Sequence, residues 1–171
     1  MSSGVPLNNT LIPQSDTATY LGLHLDRRLT WRAHILAKRK QLNCKFQKLY
    51  WLLSKTSKLR TENKLLIYKA AIKPIWSYGI QLWGTSSHSN IEILQRFQSK
   101  ILRTIVKAPW YVSNAIIHRD LMCPTVHEVI KHFGQSYGMR LEHHQNPEAI
   151  NLLDNSTTVR RLRRLHPLDL I

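Results

Sequence analysis

The spacing of apolar residues changes once along this chain, at Thr30, and that change limits what the chain can fold into. From Tyr20 to Asp26 the period is two: Leu21, Leu23 and Leu25 alternate with Tyr20, Gly22 and His24, which predicts a short strand. Val5 to Asn8 and Thr10 to Ile12 are candidate partner strands. Beyond Thr30, the candidate N-cap of a first helix, the period is helical. Ile35, Leu42, Phe46, Leu49 and Leu53 follow steps of 7, 4, 3 and 4 and share one face. The pattern predicts a mostly α fold with a small β element at its front.

A second helix is expected from Glu62 to Lys73, ended or kinked by Pro74. Ile75 to Trp83 is apolar on nearly every side up to Gly84, so it should form the buried centre of a bundle. Ser89 followed by Glu92 is a capping-box pattern and predicts a third helix start. Its inner face would be Ile91, Leu94, Ile101 and Ile105, with Phe97 and Leu102 on the edges and Pro109 closing the element. Thr125 and Glu128 repeat the pattern and open a helix with Val126, Ile130, Phe133, Tyr137 and Leu141 inward and a middle weakened by Gly134 and Gly138. Asn146–Pro147 breaks that helix, and Asn155–Ser156–Thr157 reads as linker.

The charge is strongly one-sided. Lys and Arg number 25 against 10 Asp and Glu in 171 residues, a formal net charge of +15 that calls for a polyanionic partner. From Arg27 to Arg60 there are eleven basic residues and no acidic one, with Lys38 and Lys45 on the flank of the first helix and Lys48 opposite its apolar face. Arg96, Lys100, Arg103 and Lys107 form a second stripe, about 16 Å long at 1.5 Å per residue, a length over which several phosphates can be tracked. Arg160, Arg161, Arg163 and Arg164 form a third cluster, like a nucleic-acid tail or nuclear-localisation patch. Trp51, among Lys48, Lys55 and Lys58, either stacks on a base or seals a helix contact; Trp110–Tyr111 is expected to pack in the core. The most apolar window, Leu65 to Trp83, contains Lys69, Lys73, Pro74 and Gln81, so no membrane span is expected. With no apolar stretch after Met1 to act as a signal peptide, the expected location is intracellular, cytoplasmic or nuclear. A competing reading of the basic helices is an interaction module for an anionic membrane surface.

Catalytic groupings are missing. Metal-dependent polymerases and nucleases need carboxylates held close together, whereas Asp16, Asp26, Asp120, Asp154 and Asp169 are isolated in sequence. An intact enzyme would require distant groups such as Asp16 and Asp26 to converge. Neither His143–His144 nor His127 with His132 puts two imidazoles on one helical face, and Cys44 and Cys123 make no ligand set, so no metal site is expected. There is no glycine-rich phosphate loop and no nucleophile elbow.

Longer motifs point to a family. Tyr20–Leu21–Gly22–Leu23–His24–Leu25–Asp26–Arg27–Arg28–Leu29–Thr30–Trp31, followed by His34–Ile35, resembles the stretch just after the palm in reverse transcriptases of non-LTR retrotransposons. The run Lys73–Pro74–Ile75–Trp76–Ser77–Tyr78–Gly79–Ile80–Gln81–Leu82–Trp83–Gly84, with Ser89–Asn90–Ile91–Glu92, Gln95–Arg96–Phe97–Gln98–Ser99–Lys100 and Ala108–Pro109–Trp110–Tyr111–Val112, is similar to the jockey-type group in the same order. The resemblance implies an RNA-directed DNA polymerase whose endonuclease, fingers and catalytic palm, with the Asp-Asp core that holds Mg2+, lie outside this sequence. It implies no catalytic residue and no cofactor within it. The implied arrangement is a palm-end β element (residues 1–28), a thumb-like helical bundle (29–108), a C-terminal helical region (109–154) and a basic tail (155–171). The implied partners are RNA, an RNA–DNA or DNA duplex gripped by its phosphates, and the palm and fingers of the same polymerase.

Overall fold

Asp26 turns the chain from sheet to helix. The computed structural model describes residues 5–7, 10–12, 15–151 and 167–170. β1 (Val5–Leu7) and β2 (Thr10–Ile12) pair with each other, not with the 20–26 segment as expected. That segment is itself not one strand: β3 (Thr17–Tyr20) pairs antiparallel with β4 (Leu23–Asp26). Between them Leu21 and Gly22 both have left-handed backbone, φ 47° and 74°, which suits the twist of a two-residue hairpin turn. The alternation thus reads through a turn, leaving Leu23 buried and Leu21 68% exposed.

The carboxylate of Asp26 accepts from the backbone N–H of Thr30 and of Trp31, both at 2.9 Å. Burial pushes this carboxyl up, but the hydrogen bonds from Thr30 and Trp31 outweigh it and hold it below the usual range. Trp31, with φ 60°, is the N-cap of α1 (Arg32–Leu53) in place of the expected Thr30, whose hydroxyl accepts from the N–H of Arg32 at 3.3 Å. The Trp31 indole is buried and donates to Thr85 Oγ1 at 3.1 Å. Ile35, Leu42, Phe46 and Leu53 are buried as their spacing predicts.

α2 (Thr61–Ile67) runs through a π-helical turn, Tyr68–Ile72, into α3 (Lys73–Ser77). Pro74 does not end the helix. It sits in the first turn of α3, just past the widened turn, where its missing N–H is tolerated. Lys64 is buried, its Nζ donating to the Ser54 carbonyl at 2.8 Å at the end of α1. The real break comes at Gly79, φ 65°, before α4 (Ile80–Trp83). The left-handed φ favours glycine here, and a Cβ on Gly79 would stand 2.7 Å from Leu23 Cδ2 of the hairpin. Tyr78 Oη fastens the same contact by donating to the Leu21 carbonyl at 2.8 Å. The 75–83 segment is therefore not buried all round. Trp76, Ile80 and Trp83 are inside, whereas Tyr78 and Leu82 are exposed.

Ser87, not Ser89, stands at the N-cap position of α5 (His88–Val106), without a side-chain cap bond, and the expected Ser89–Glu92 box does not form. Phe97 and Leu102, expected on its edges, are buried with Ile91, Leu94, Ile101 and Ile105. The sequence pattern did not announce α6 (Asn114–Asp120), whose Ser113 cap accepts from Ile116 N–H. α7 (Val126–Glu142) opens with the predicted Thr125–Glu128 capping box. Phe133 and Tyr137 are half-buried instead of inward, because Gly134 and Gly138 take the buried face. A Cβ on Gly134 would lie 2.8 Å from the Leu170 carbonyl oxygen, so this glycine seats the 3-10 turn Pro167–Leu170 against α7. α8 (Pro147–Asn151) follows the expected break. One apolar cluster runs from Leu23 and Trp31 through α1, α3 and α5 to Ile117, Cys123 and Ile130. The expected linker at Asn155–Thr157 lies outside the described residues.

Candidate nucleic-acid interface

Arg103 organises the basic side of α5. Its Nη1 donates to the Val112 carbonyl at 2.7 Å and to Asn114 Oδ1 at 3.0 Å; its Nη2 donates to the carbonyls of Pro109 and Trp110 at 2.9 and 3.0 Å. A planar guanidinium can serve four acceptors at once, which a lysine ammonium cannot do in this geometry. The turn after α5 is thereby folded back beside the helix. Lys107, the C-cap with φ 58°, starts that reversal and is itself exposed.

The fold-back creates an open cleft of about 630 Å³ lined by Lys55, Arg96, Lys100, Arg103, Trp110 and Asn114, among others. Arg96 and Lys100 are exposed. Arg96 Nε donates to the Glu92 carbonyl at 3.2 Å, within its own helix, so its charge has no acidic partner among the described residues. Ser99 and Thr104 add hydroxyls to the wall. Trp110 is 90% exposed and Tyr111 72%, their rings edge to face at 6.0 Å, so the expected core packing of this pair is wrong. Arg103 holds the carbonyls of Pro109, Trp110 and Val112 against the helix, and both ring side chains of the pair point outward.

The other predicted contacts are placed differently. Lys38 lies half-buried over the Tyr78 ring at 5.5 Å from its centroid, and burial lowers its pKa. Lys45 is half-buried and Lys48 exposed, and neither lines the cleft. Lys55, in the turn after α1, does line it; helical spacing sets it with Lys48 opposite the apolar face but did not mark it as a contact. Trp51 is 70% exposed and so seals no helix contact. Arg160, Arg161, Arg163 and Arg164 lie outside the described residues.

The described residues do not suit the magnesium ions of a polymerase palm. Both oxygens of Asp26 are occupied by backbone N–H groups, and Asp16 is exposed on the neighbouring turn. The group of three metal-capable side chains that does assemble among the described residues is His88, Glu92 and His127, with no paired carboxylates. It comes from two helices, which is why spacing within one helix could not reveal it.

Among relatives, the chain is 45% identical over 160 residues to the probable RNA-directed DNA polymerase from transposon X-element of Drosophila melanogaster, a match covering 94% of this chain and 18% of that protein. It is 35% identical over 164 residues to the probable RNA-directed DNA polymerase from transposon BS of the same species, covering 96% and 18%. It is also 35% identical over 176 residues to the RNA-directed DNA polymerase from mobile element jockey of Drosophila funebris, covering 98% and 19%. No family model and no solved structure matches the chain. The long motifs read from the sequence and these alignments agree: nearly the whole chain is similar to a segment of jockey-type retrotransposon RNA-directed DNA polymerases, and it spans about a fifth of the length of the relatives it matches.

Proposed function

We propose that this segment is the thumb-like part of such a polymerase and grips the template–primer duplex by its phosphates, without itself holding the catalytic carboxylates. The observation that carries the reading is the cleft in which Lys55, Arg96, Lys100 and Arg103 converge beside an outward Trp110. Cations on a rigid helix meet phosphate oxygens whatever the bases are, which is what a polymerase travelling along its template needs. Trp110 offers a flat apolar surface next to those cations, suited to the sugar or base at a duplex end. The hairpin β3–β4, pinned through Tyr78 and Gly79, would face the palm, and the palm and fingers would complete the active site.

Competition tests this reading. A labelled RNA–DNA duplex of unrelated sequence, followed by fluorescence anisotropy, should bind at low salt and should not be displaced by anionic phosphatidylserine vesicles at equal charge concentration. A second duplex of scrambled sequence should bind within about threefold, since phosphate contacts carry no sequence information. Preferential capture by the vesicles would replace the duplex grip with a membrane-surface role. Failure of a folded chain to bind either would sink both readings.

A further inference from the structure

We infer that His88, Glu92 and His127 form a binding site for one divalent transition-metal ion of the zinc class, which clamps the start of α5 to the start of α7. Glu92 Oε1 stands 3.5 Å from His127 Nε2 and 3.9 Å from His88 Nε2, and the three ligand atoms lie within 4.8 Å of one another. Around a tetrahedral zinc ion with bonds of about 2.0–2.2 Å, neighbouring ligand atoms are about 3.3–3.5 Å apart. The Glu92–His127 pair already has that spacing, and a small rotation of the His88 side chain, which is 77% exposed, closes the rest.

Two further observations favour a metal over a plain ion pair. His127 Nε2 is buried and has no hydrogen-bond partner, with Glu92 Oε1 3.5 Å away. A buried ring nitrogen without a hydrogen-bond partner is costly, and a bound cation would satisfy it. The two imidazole rings are stacked, centroids 5.0 Å apart and 24° from parallel, and both have Nε2 within 3.9 Å of the same carboxylate oxygen.

The three positions are held by interactions that do not involve the trio. His88 and Glu92 are one turn apart on α5 and so share a face. His127 is in the first turn of α7, which is fixed by its capping box and by Gln95 Oε1 of α5 accepting from Val126 N–H at 2.8 Å. Gln98 Nε2 donates to the Pro124 carbonyl at 2.8 Å and secures the same junction. Two nitrogens and one carboxylate are the donors that a zinc-class ion takes, whereas calcium and magnesium prefer oxygen alone. His88 and His127 also line an open cleft of about 410 Å³, which leaves room for a water as fourth ligand and a path of entry.

Isothermal titration of ZnCl2 into the chelator-stripped full chain should give one site per chain. Thermal unfolding should shift upward with zinc, the folded-to-unfolded ratio rising about 100-fold when free zinc is 100 times Kd. Co2+ should give the intense visible absorption of a tetrahedral site. His88→Gln, at an exposed position that does not threaten the fold, and Glu92→Gln should each weaken zinc binding at least 10-fold and bleach the Co2+ band. His143→Gln/His144→Gln, at the exposed pair after α7, should change neither. Absence of one-site binding, or binding lost with His143→Gln/His144→Gln and kept with His88→Gln, would overturn the assignment and leave the trio as an ordinary histidine–carboxylate contact.

Discussion

α1 and α5 pack against each other, yet they use their cations in different ways. α1 carries six, Arg32, Lys38, Arg39, Lys40, Lys45 and Lys48, and contributes none of them to the cleft. α5 carries three, Arg96, Lys100 and Arg103, and all three line it. On α1, Lys38 lies over Tyr78, and Arg39 lies over Phe97 with its guanidinium carbon 4.1 Å from the ring centroid. Those charges cover aromatic surface between elements. On α5, Arg103 is spent on carbonyls so that Arg96 and Lys100 stand in a shaped recess. A count of basic residues gives the sign of the partner; the packing decides which cations can reach it.

The largest effect expected from breaking this contrast is at Arg103. Arg103→Gln removes a four-acceptor contact and should lower stability by on the order of 3 kcal/mol, read as a shift in the urea midpoint. Arg103→Lys should recover only a small part of it, because an ammonium cannot span the same carbonyls. Full recovery by lysine would show that charge alone matters at this position.

On α1 the comparable probe is pH. His34 is fully buried, and burial, then Lys38 and His24, lower its pKa from 6.5 to about 4. Between those values the unfolded chain binds a proton that the folded chain refuses. Stability should therefore be complete above pH 6.5 and fall as pH drops toward 4, by on the order of 3 kcal/mol. Urea midpoints measured from pH 7.5 to 4.5 check this. A flat profile, or one unchanged in His34→Leu, would mean that His34 accepts its proton in the fold.

Smaller effects separate the two helix starts that share one sequence signature. Thr125→Ala should cost about 1 kcal/mol, because its hydroxyl accepts from Glu128 N–H while Glu128 bonds back to Thr125. Ser89→Ala should stay within about 0.5 kcal/mol, as expected for an exposed residue that caps nothing. Equal losses would restore the box that the structure denies to Ser89. Arg39→Met should likewise cost under about 1 kcal/mol and leave duplex binding unchanged.

The helical core was legible because its signal is periodic: Ile35, Leu42, Phe46 and Leu53 on α1, and Ile91, Leu94, Ile101 and Ile105 on α5, recur at intervals that only a helix satisfies. Signals that rest on a single residue fared unevenly. Ser89 and Thr125 both precede a glutamate by three, but α5 starts two residues earlier, with Ser87 at its N-cap position, and the Glu92 carboxylate turns to His88 and His127 instead. Leu21 and Gly22 hid a turn inside an alternating run, since a hairpin of two short strands keeps the same parity. The cleft was half legible. Arg96, Lys100 and Arg103 follow from helical spacing, whereas the outward Trp110 and the inclusion of Lys55 depend on a fold-back that Arg103 makes through backbone carbonyls. No local pattern encodes such a contact. The same holds for His127, brought to Glu92 by the packing of α5 on α7.

The central claim is that α5, not the more basic α1, presents the phosphate-binding cations. The most direct test is the salt dependence of duplex affinity for three proteins: the unaltered chain, Arg96→Gln/Lys100→Gln, and Lys45→Gln/Lys48→Gln. Each phosphate contact contributes about 0.9 to the slope of log affinity against log salt on duplex DNA, so the α5 pair should reduce the slope by about 2 and the α1 pair by clearly less. An α1 pair that lowers the slope as much as the α5 pair, or an α5 pair that leaves it unchanged, would contradict the account.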